Sequence, residues 1–205
     1  MNPRLILITV FGLLLGAVAA LTVVSNGPAA ILDQKTEASG KALIGGPFSL
    51  TDTAGAAATD KTYLGKPALV YFGFTNCPDI CPSGLQAISA ALDKIGPDAA
   101  AKLSAIFITL DPERDTGPKL GDYLKSFHPR IVGLTGTTTT IAEAAKAYRV
   151  YAKKVVTDAA KGDYTIDHSG FMYLIDSSGQ YVTHFPHNVS ADKLSTALTD
   201  ALSKP

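Results

Sequence analysis

The two cysteines of this chain lie close together in the segment YFGFTNCPDICP, residues 71–82. Cys77 and Cys81 are the only cysteines among 205 residues, and a proline follows each of them. Thiolates attack disulfides and bind soft metal ions such as Cu(I), so a close pair can support reversible disulfide chemistry or metal binding. A purely structural disulfide would close a very short loop and would remove little entropy from the unfolded chain. We therefore expect the pair to be functional.

A metal ion held by two thiolates usually needs a further ligand, and the histidines are the candidates. His128 precedes a proline in a predicted turn, while His184 and His187 flank a Phe-Pro pair at a strand end, which is typical of surface residues. His168 lies in YTIDHSG, residues 164–170, which we predict to be a loop facing the cysteine loop. A single loop histidine is more often solvated than metal-bound. The residues alone leave the role of His168 open.

The prolines indicate how the cysteine loop is built. A residue before proline is disfavoured in the α region, so both cysteines are predicted to be extended or to cap a helix. Pro82 suits the first helical position, where its missing N–H has no consequence, and this makes Cys81 the predicted N-cap. The positive end of the helix dipole would then stabilise a thiolate at this position.

The elements around the cysteines predict an α/β fold. Residues 68–75 and 105–110 are continuous apolar runs, which are typical of strands buried on both faces. We predict helices at residues 83–95, 119–127, 141–148 and 191–202, and further strands at 131–134, 150–154, 171–175 and 181–185. The cysteine loop follows the first buried strand, and sites in open α/β sheets form at that edge. The order of elements predicts a thioredoxin-like sandwich.

The segment DPERDT, residues 111–116, has two interpretations. Asp115 or Thr116 can cap the helix predicted to begin near Pro118, and this is the interpretation we favour. Alternatively, Asp111 at the end of a strand approaches the metal or a docking surface.

The N-terminal part predicts a membrane anchor. Residues 5–24 contain no charged side chain, and this length can span a bilayer as a helix. A cleaved signal peptide, the alternative, usually has a shorter apolar core. Arg4 precedes the segment, and positive flanks remain in the cytoplasm, so the rest of the chain should lie outside it. We predict an anchor at 1–25, a tether at 26–43 and a thioredoxin-like domain at 44–205.

The charge balance argues against one class of partner. The chain has 18 Lys and Arg residues and 18 Asp and Glu residues, and its formal net charge is zero. Nucleic-acid binding needs a basic surface to neutralise phosphates. We therefore expect no nucleic-acid partner.

Four segments in the order YFGFTNCPDICP, DPERDT, FHPRIVGLTGT and DHSGFMYLID resemble the Sco/SenC family. The resemblance covers about residues 44–205. That family consists of membrane-tethered copper proteins with a thioredoxin-like fold, linked to cytochrome c oxidase assembly. The resemblance implies that copper is the bound ion and that Cys77, Cys81 and His168 are its ligands.

Two functions follow from this resemblance. The first is a copper metallochaperone that supplies the dinuclear copper site in the copper-accepting subunit of cytochrome c oxidase. It would be a single-pass protein of the inner (cytoplasmic) membrane, with its domain in the periplasm or an equivalent extracytoplasmic space. The alternative is a thiol–disulfide oxidoreductase that uses a redox disulfide between Cys77 and Cys81 to keep the acceptor's cysteines reduced. Only the first function needs His168, so this residue distinguishes them.

Overall fold

The computed structural model describes residues 44–203. The anchor predicted at residues 1–25 and the tether predicted at 26–43 lie outside these residues. Within the described part, no helix has the length and apolar character that crossing a membrane requires.

Strands and helices alternate through the described chain. The strands are β1 (Ser49–Asp52), β2 (Ala57–Thr59), β3 (Ala68–Gly73), β4 (Ser104–Thr109), β5 (Ile131–Thr135), β6 (Ala152–Asp158), β7 (Asp163–His168), β8 (Phe171–Ile175) and β9 (Tyr181–Pro186). The helices are α1 (Ile80–Ile95), α2 (Pro97–Ala100), α3 (Gly117–Leu124), α4 (Thr138–Ala147) and α5 (Ala191–Leu202). A short 3-10 helix, Asp60–Tyr63, follows β2.

Seven of these strands form one mixed sheet in the order β2-β1-β5-β4-β3-β8-β9. The central strands β3, β4 and β5 are parallel, and β1 and β8 join them in antiparallel orientation. All residues of β3 are buried, as its continuous apolar run predicts. Strands β6 and β7 pair only with each other and form a separate two-stranded sheet. We call this second sheet the β6–β7 hairpin.

Apolar cores cover both faces of the main sheet. Alternate side chains of β3 point to opposite faces, as the pleat requires. Leu69 and Tyr71 pack with α1, α3 and α5 on one face. Val70 and Phe72 pack with α4 on the other face. This mixed sheet between helices is the thioredoxin-like architecture, so the predicted fold is confirmed.

The sequence-based prediction of a loop at residues 164–170 is wrong over most of its length. Strand β7 occupies Asp163–His168 and pairs with β6 in antiparallel register. In β6, six of the seven residues are exposed. Because the hairpin lacks a continuous apolar run, the sequence gives no strong strand signal there.

Candidate metal centre

The cysteine loop connects β3 to α1 at the carboxyl edge of the central parallel strands, where the sequence predicts it. Helix α1 begins earlier than expected, because Asp79 is its N-cap and Cys81 is already helical. The prediction that Cys81 caps the helix is therefore wrong. Pro82 still lies in the first turn, whose N–H groups have no acceptor within the helix, so the helix can begin before it.

Close packing beneath the loop fixes the first turn of α1. The Tyr71 hydroxyl donates a hydrogen bond to the Ile80 carbonyl oxygen over 2.9 Å. A Cβ atom on Gly73 would lie 2.8 Å from Cys81 Sγ and 2.8 Å from the Phe107 ring. Strand β3 therefore ends in glycine where the Cys81 thiol rests against the backbone.

Three side chains of types that can bind a metal converge at this edge. The donor atoms of Cys77, Cys81 and His168 all lie within 4.8 Å of one another. Cys81 Sγ is 3.5 Å from His168 Nε2, and the Cys81 N–H donates to Cys77 Sγ over 3.4 Å. Both cysteines are free thiols. Among residues 44–203, this is the one group of three such donors close enough to share an ion.

The spacing of the donor atoms fits a single small ion. Metal–sulfur bonds are about 2.3 Å and metal–nitrogen bonds about 2.0 Å in tetrahedral zinc sites, so donors that share an ion lie about 4 Å apart. Small side-chain shifts would bring the three donors to such distances. Two thiolates and one imidazole form a soft donor set, which suits copper or zinc better than magnesium or calcium.

His168 is oriented by its neighbours. Its side chain is only 9% exposed, and its ring meets the Phe74 ring edge-on with centroids 5.8 Å apart. Nδ1 lies 3.1 Å from the Ser169 carbonyl oxygen. Nδ1 can donate to this carbonyl oxygen, and Nε2 faces the cysteines.

The two thiols differ in acidity. The Cys81 thiol donates a hydrogen bond to Cys77 Sγ and lowers the pKa of Cys77 against the effect of burial, and a hydrogen bond with His168 and backbone N–H groups lower it further. The same hydrogen bond and complete burial raise the pKa of Cys81. The first proton lost from the pair therefore comes from Cys77.

Asp115 supports the cysteine loop rather than capping α3. Its buried carboxylate accepts hydrogen bonds from the Thr75 N–H at 2.9 Å, the Thr75 hydroxyl at 2.5 Å and the Thr109 hydroxyl at 2.7 Å. Thr116 is the N-cap residue, as one of the two predicted candidates, but its side chain makes no capping hydrogen bond. The sequence shows no signal for the role of Asp115, because its partners come from two other elements.

Asp111 lies outside the group of three donors. The Tyr164 hydroxyl donates to its carboxylate over 2.8 Å, and Arg114 forms an ion pair with it. These contacts direct the Asp111 carboxylate to Tyr164 and Arg114, so the alternative interpretation in which Asp111 approaches the metal has no support in the structure.

The other histidines also lie outside the group. His128 Nε2 is 3.7 Å from an Asp93 carboxylate oxygen, and His184 stacks on Tyr181. His187 lies beside Gly170.

One side of the centre is open. A pocket of about 200 Å³ reaches the donors and is lined in part by Phe74, Cys77, Ile80, Ile166 and His168. Cys81 does not line this pocket and has no exposed surface. Ligands can therefore approach two of the three donors.

Comparison with known proteins identifies relatives of this chain. The SCO1/SenC family model matches residues 36–203. SCO1 homolog 1, mitochondrial, of Arabidopsis thaliana is 44% identical over 165 residues, which cover 80% of this chain and 48% of that protein. The mitochondrial SCO1 homolog of Homo sapiens is 42% identical over 160 residues, covering 78% and 53%. The chain thus spans about half the length of these curated relatives.

Solved structures of similar proteins have the same fold. ScoI of Bradyrhizobium japonicum with copper bound is 47% identical with a TM-score of 0.72, covering 77% of this chain and 99% of that chain. Yeast Sco1 with copper bound is 40% identical with a TM-score of 0.73, covering 79% and 90%.

Proposed function

This chain belongs to the SCO1/SenC family, and we propose that it is a copper metallochaperone with Cys77, Cys81 and His168 as its ligands. The observation that carries this proposal is the convergence of two thiols and one imidazole nitrogen within 4.8 Å. Thiolates suit Cu(I), and imidazole suits copper among other transition metals. The two copper-bound relatives support copper over zinc, which the donor set alone would also accept.

The proposed recipient is the dinuclear copper site in the copper-accepting subunit of cytochrome c oxidase. One protein of the same fold is described as a member of the Sco family of cytochrome c oxidase assembly proteins, which supports a role in that process. The proposed anchor at 1–25 would hold the domain, 44–205, on the extracytoplasmic side of the inner membrane. The tether at 26–43 would keep donor and acceptor on one surface and so raise their effective concentration.

The protonation of the site suggests how copper is captured. Cys77 is the first thiolate, and His168 turns Nε2 toward the cysteines. Both groups line the open pocket, so they are the first donors that an incoming ion meets. Coordination by Cys81 then releases its proton, because a metal-bound thiol is deprotonated. Copper affinity should therefore fall as pH decreases and protons compete for the donors.

The decisive test compares His168→Ala with the wild-type protein. The variant should retain part of its Cu(I) binding through the two thiolates. It should lose Cu(II) binding, because Cu(II) prefers a tetragonal arrangement of ligands that includes nitrogen. Copper stoichiometry and the Cu(II) electron paramagnetic resonance spectrum report the two effects. Cys77→Ser and Cys81→Ser should each abolish tight binding of both ions.

His184→Ala is the matched control, since His184 stacks on Tyr181 and does not join the donor group. It should bind copper as the wild type does. An unchanged Cu(II) spectrum and stoichiometry in His168→Ala would exclude the proposed site.

A second candidate function rests on the acidity of the thiol pair. A cysteine with a lowered pKa next to a second thiol is suited to disulfide exchange, because thiolate is the attacking form. The same protein could therefore keep the acceptor's cysteines reduced so that copper can enter. The chemistry is carried by Cys77 and Cys81, and His168 only helps to lower the pKa of Cys77. Reduction of an acceptor disulfide by His168→Ala, with none by Cys77→Ser, would therefore support it.

A further inference from the structure

The hairpin that carries His168 has little to hold it in place. The β6–β7 hairpin forms no ladder with the main sheet, and His168 is the last residue of β7. An isolated two-stranded hairpin is only marginally stable in water. A cavity of about 570 Å³ separates the hairpin from α4, so a continuous apolar core does not support it either. Beyond the two-residue connection from His168 to β8, side-chain contacts therefore help to set its position.

Three residues on one face of β7 make these contacts. Tyr164, Ile166 and His168 alternate along the strand and so point to the same face. Ile166 packs on the small apolar cluster formed by Phe74 and the two cysteines. His168 contacts Cys81, while Tyr164 contacts the DPERDT segment at the other end of the strand. The strand is thus held at both ends, and one end is the candidate metal centre.

A cluster of charged side chains surrounds Tyr164. Its hydroxyl donates to Asp111 over 2.8 Å, and its carbonyl accepts from Arg114 Nη1 over 2.9 Å. The Arg114 guanidinium carbon and the Lys154 ammonium nitrogen lie 3.6 and 3.7 Å from the centre of the Tyr164 ring, as cation–π partners do. Lys154 also donates to Glu113 over 2.8 Å. We call these five residues the Tyr164 clamp.

The clamp joins two parts of the chain that no backbone ladder connects. Asp111, Glu113 and Arg114 follow β4 of the main sheet, whereas Lys154 and Tyr164 belong to the β6–β7 hairpin. Burial, aided by the hydrogen bond to Asp111, raises the pKa of Tyr164 to about 12, so its hydroxyl remains a donor at neutral pH. The contact therefore persists under the conditions in which copper binds.

We propose that Tyr164 and Arg114 are positioning residues that hold His168 against the two cysteines. The inference rests on the proposed function, since it concerns the third ligand of the same copper site. His168 lies four residue steps along the strand from Tyr164, a span of about 13 Å, and a paired strand transmits a shift over that length. Loosening the clamp moves the imidazole away, whereas the thiols remain on the cysteine loop and α1. The clamp therefore affects the affinity of the site for Cu(II) more than its affinity for Cu(I).

The test compares graded changes at Tyr164 with matched controls. Tyr164→Phe removes the hydroxyl and keeps the ring that contacts Arg114 and Lys154. Tyr164→Ala removes the hydroxyl and the ring. Tyr181→Phe is the first control, because it removes another tyrosine hydroxyl hydrogen bond, on β9. Lys153→Ala is the second control, because Lys153 lies next to Lys154 and points to the opposite face of β6.

We expect Tyr164→Ala to lower Cu(II) affinity by about 10- to 100-fold, the usual effect of losing a residue that orients a metal ligand. Tyr164→Phe should give a smaller loss, and Arg114→Gln a loss comparable to that of Tyr164→Ala. Cu(I) affinity and the melting temperature should change little in Tyr164→Phe, and both controls should match the wild type. A Cu(II) affinity and spectrum unchanged in all three clamp variants would overturn the inference.

A copper-free measurement separates this inference from the proposed function. The Ser169 N–H donates to the Tyr151 carbonyl oxygen, so by the alternation of antiparallel pairs Lys153 and Asp167 also exchange backbone hydrogen bonds. The amide hydrogens of Lys153 and Asp167 should therefore exchange faster in the clamp variants, while the amide of Leu69 in β3 should not. Wild-type exchange rates in the hairpin of Tyr164→Ala would overturn the inference even if copper binding falls. A wild-type protein that binds no copper would instead overturn the proposed function, and hairpin exchange would still show whether the clamp positions His168.

Discussion

At the level of single residues, Cys77 and Cys81 are chemically unequal, although the sequence presents them as a symmetrical pair. One hydrogen bond between them lowers the pKa of Cys77 and raises that of Cys81. A pair of identical side chains thus becomes one nucleophile and one buried proton donor.

We predict that an alkylating reagent modifies Cys77 already at pH 6. Because the pKa of Cys77 is lowered, its thiolate fraction is nearly constant from pH 6 to pH 8. The rate should therefore be almost flat across that window, whereas an ordinary thiol with a pKa near 8.5 would react about 100-fold faster at pH 8 than at pH 6. Mass spectrometry of the copper-free protein should find the label on Cys77 and not on Cys81.

The unfolded protein in urea provides the control for this measurement. Its cysteines should follow the steep pH dependence of ordinary thiols. The same steep dependence in the folded protein would show that the structure does not acidify Cys77.

Gly73 gives a second prediction at the residue scale. An added methyl group would meet Cys81 Sγ at 2.8 Å, so Gly73→Ala should displace the thiol and destabilise the fold by about 1–3 kcal/mol through overpacking. Copper affinity should fall with it. Gly121→Ala is the control: its methyl group would make only an ordinary contact at 3.4 Å, and alanine favours a helix, so urea denaturation should show no loss of stability. Equal stability of both variants would contradict the packing at Gly73.

At the scale of elements, the sequence predicts those strands whose burial requires a continuous run of apolar residues. Strands β3 and β4 stand out as apolar runs, and the cysteine loop follows from its place after β3. Strand β7 does not stand out, because its position depends on Tyr164 meeting side chains from the DPERDT segment. The early start of α1 escapes prediction for a similar reason: the Tyr71 hydroxyl that bonds the Ile80 carbonyl comes from another element.

The resemblance to a family, rather than the spacing of residues, singles out His168 among four histidines. Asp115 could not be found in this way, since its role depends on contacts with Thr75 and Thr109. Contacts between side chains of separate elements are known only from the folded structure.

Asp115→Asn tests the link between α3 and the cysteine loop. The carboxylate accepts three hydrogen bonds from Thr75 and Thr109, and an amide nitrogen cannot accept any. At least one donor near the loop then loses its partner while buried, which should lower the free energy of unfolding by about 1–3 kcal/mol. Asp122→Asn on α3 is the control, because Asp122 is exposed and pairs only with Lys125 in an exposed ion pair. A loss in the control as large as that in Asp115→Asn would show that the buried network is unimportant.

At the scale of the whole molecule, the candidate metal centre is separate from the structural cores. Phe74 and the two cysteines form their own small apolar cluster, whereas the large clusters lie on the two faces of the sheet. Changes at the sulfurs can therefore occur without repacking either core, so both redox states of the cysteines should be folded.

Copper and a disulfide should therefore exclude each other in one folded protein. The described chain has one pair of cysteines, and a disulfide offers no thiolate to a metal. In a redox titration of the copper-free protein followed by copper loading, bound copper should decrease in step with the reduced fraction. Bound Cu(I) should in turn protect both cysteines from alkylation. Full copper loading of the oxidised protein would contradict the shared site.

In the proposed function, the unequal exposure of the three candidate ligands would give copper transfer a direction. Cys77 and His168 face the open pocket, and Cys81 lies behind them with no exposed surface. In the proposed function, an acceptor's sulfur arriving through that pocket replaces an outer ligand first, and the bond to Cys81 is the last to break. The ion then passes between proteins along a single trajectory, held at every moment by at least one partner, and never enters the surrounding water as a free cation.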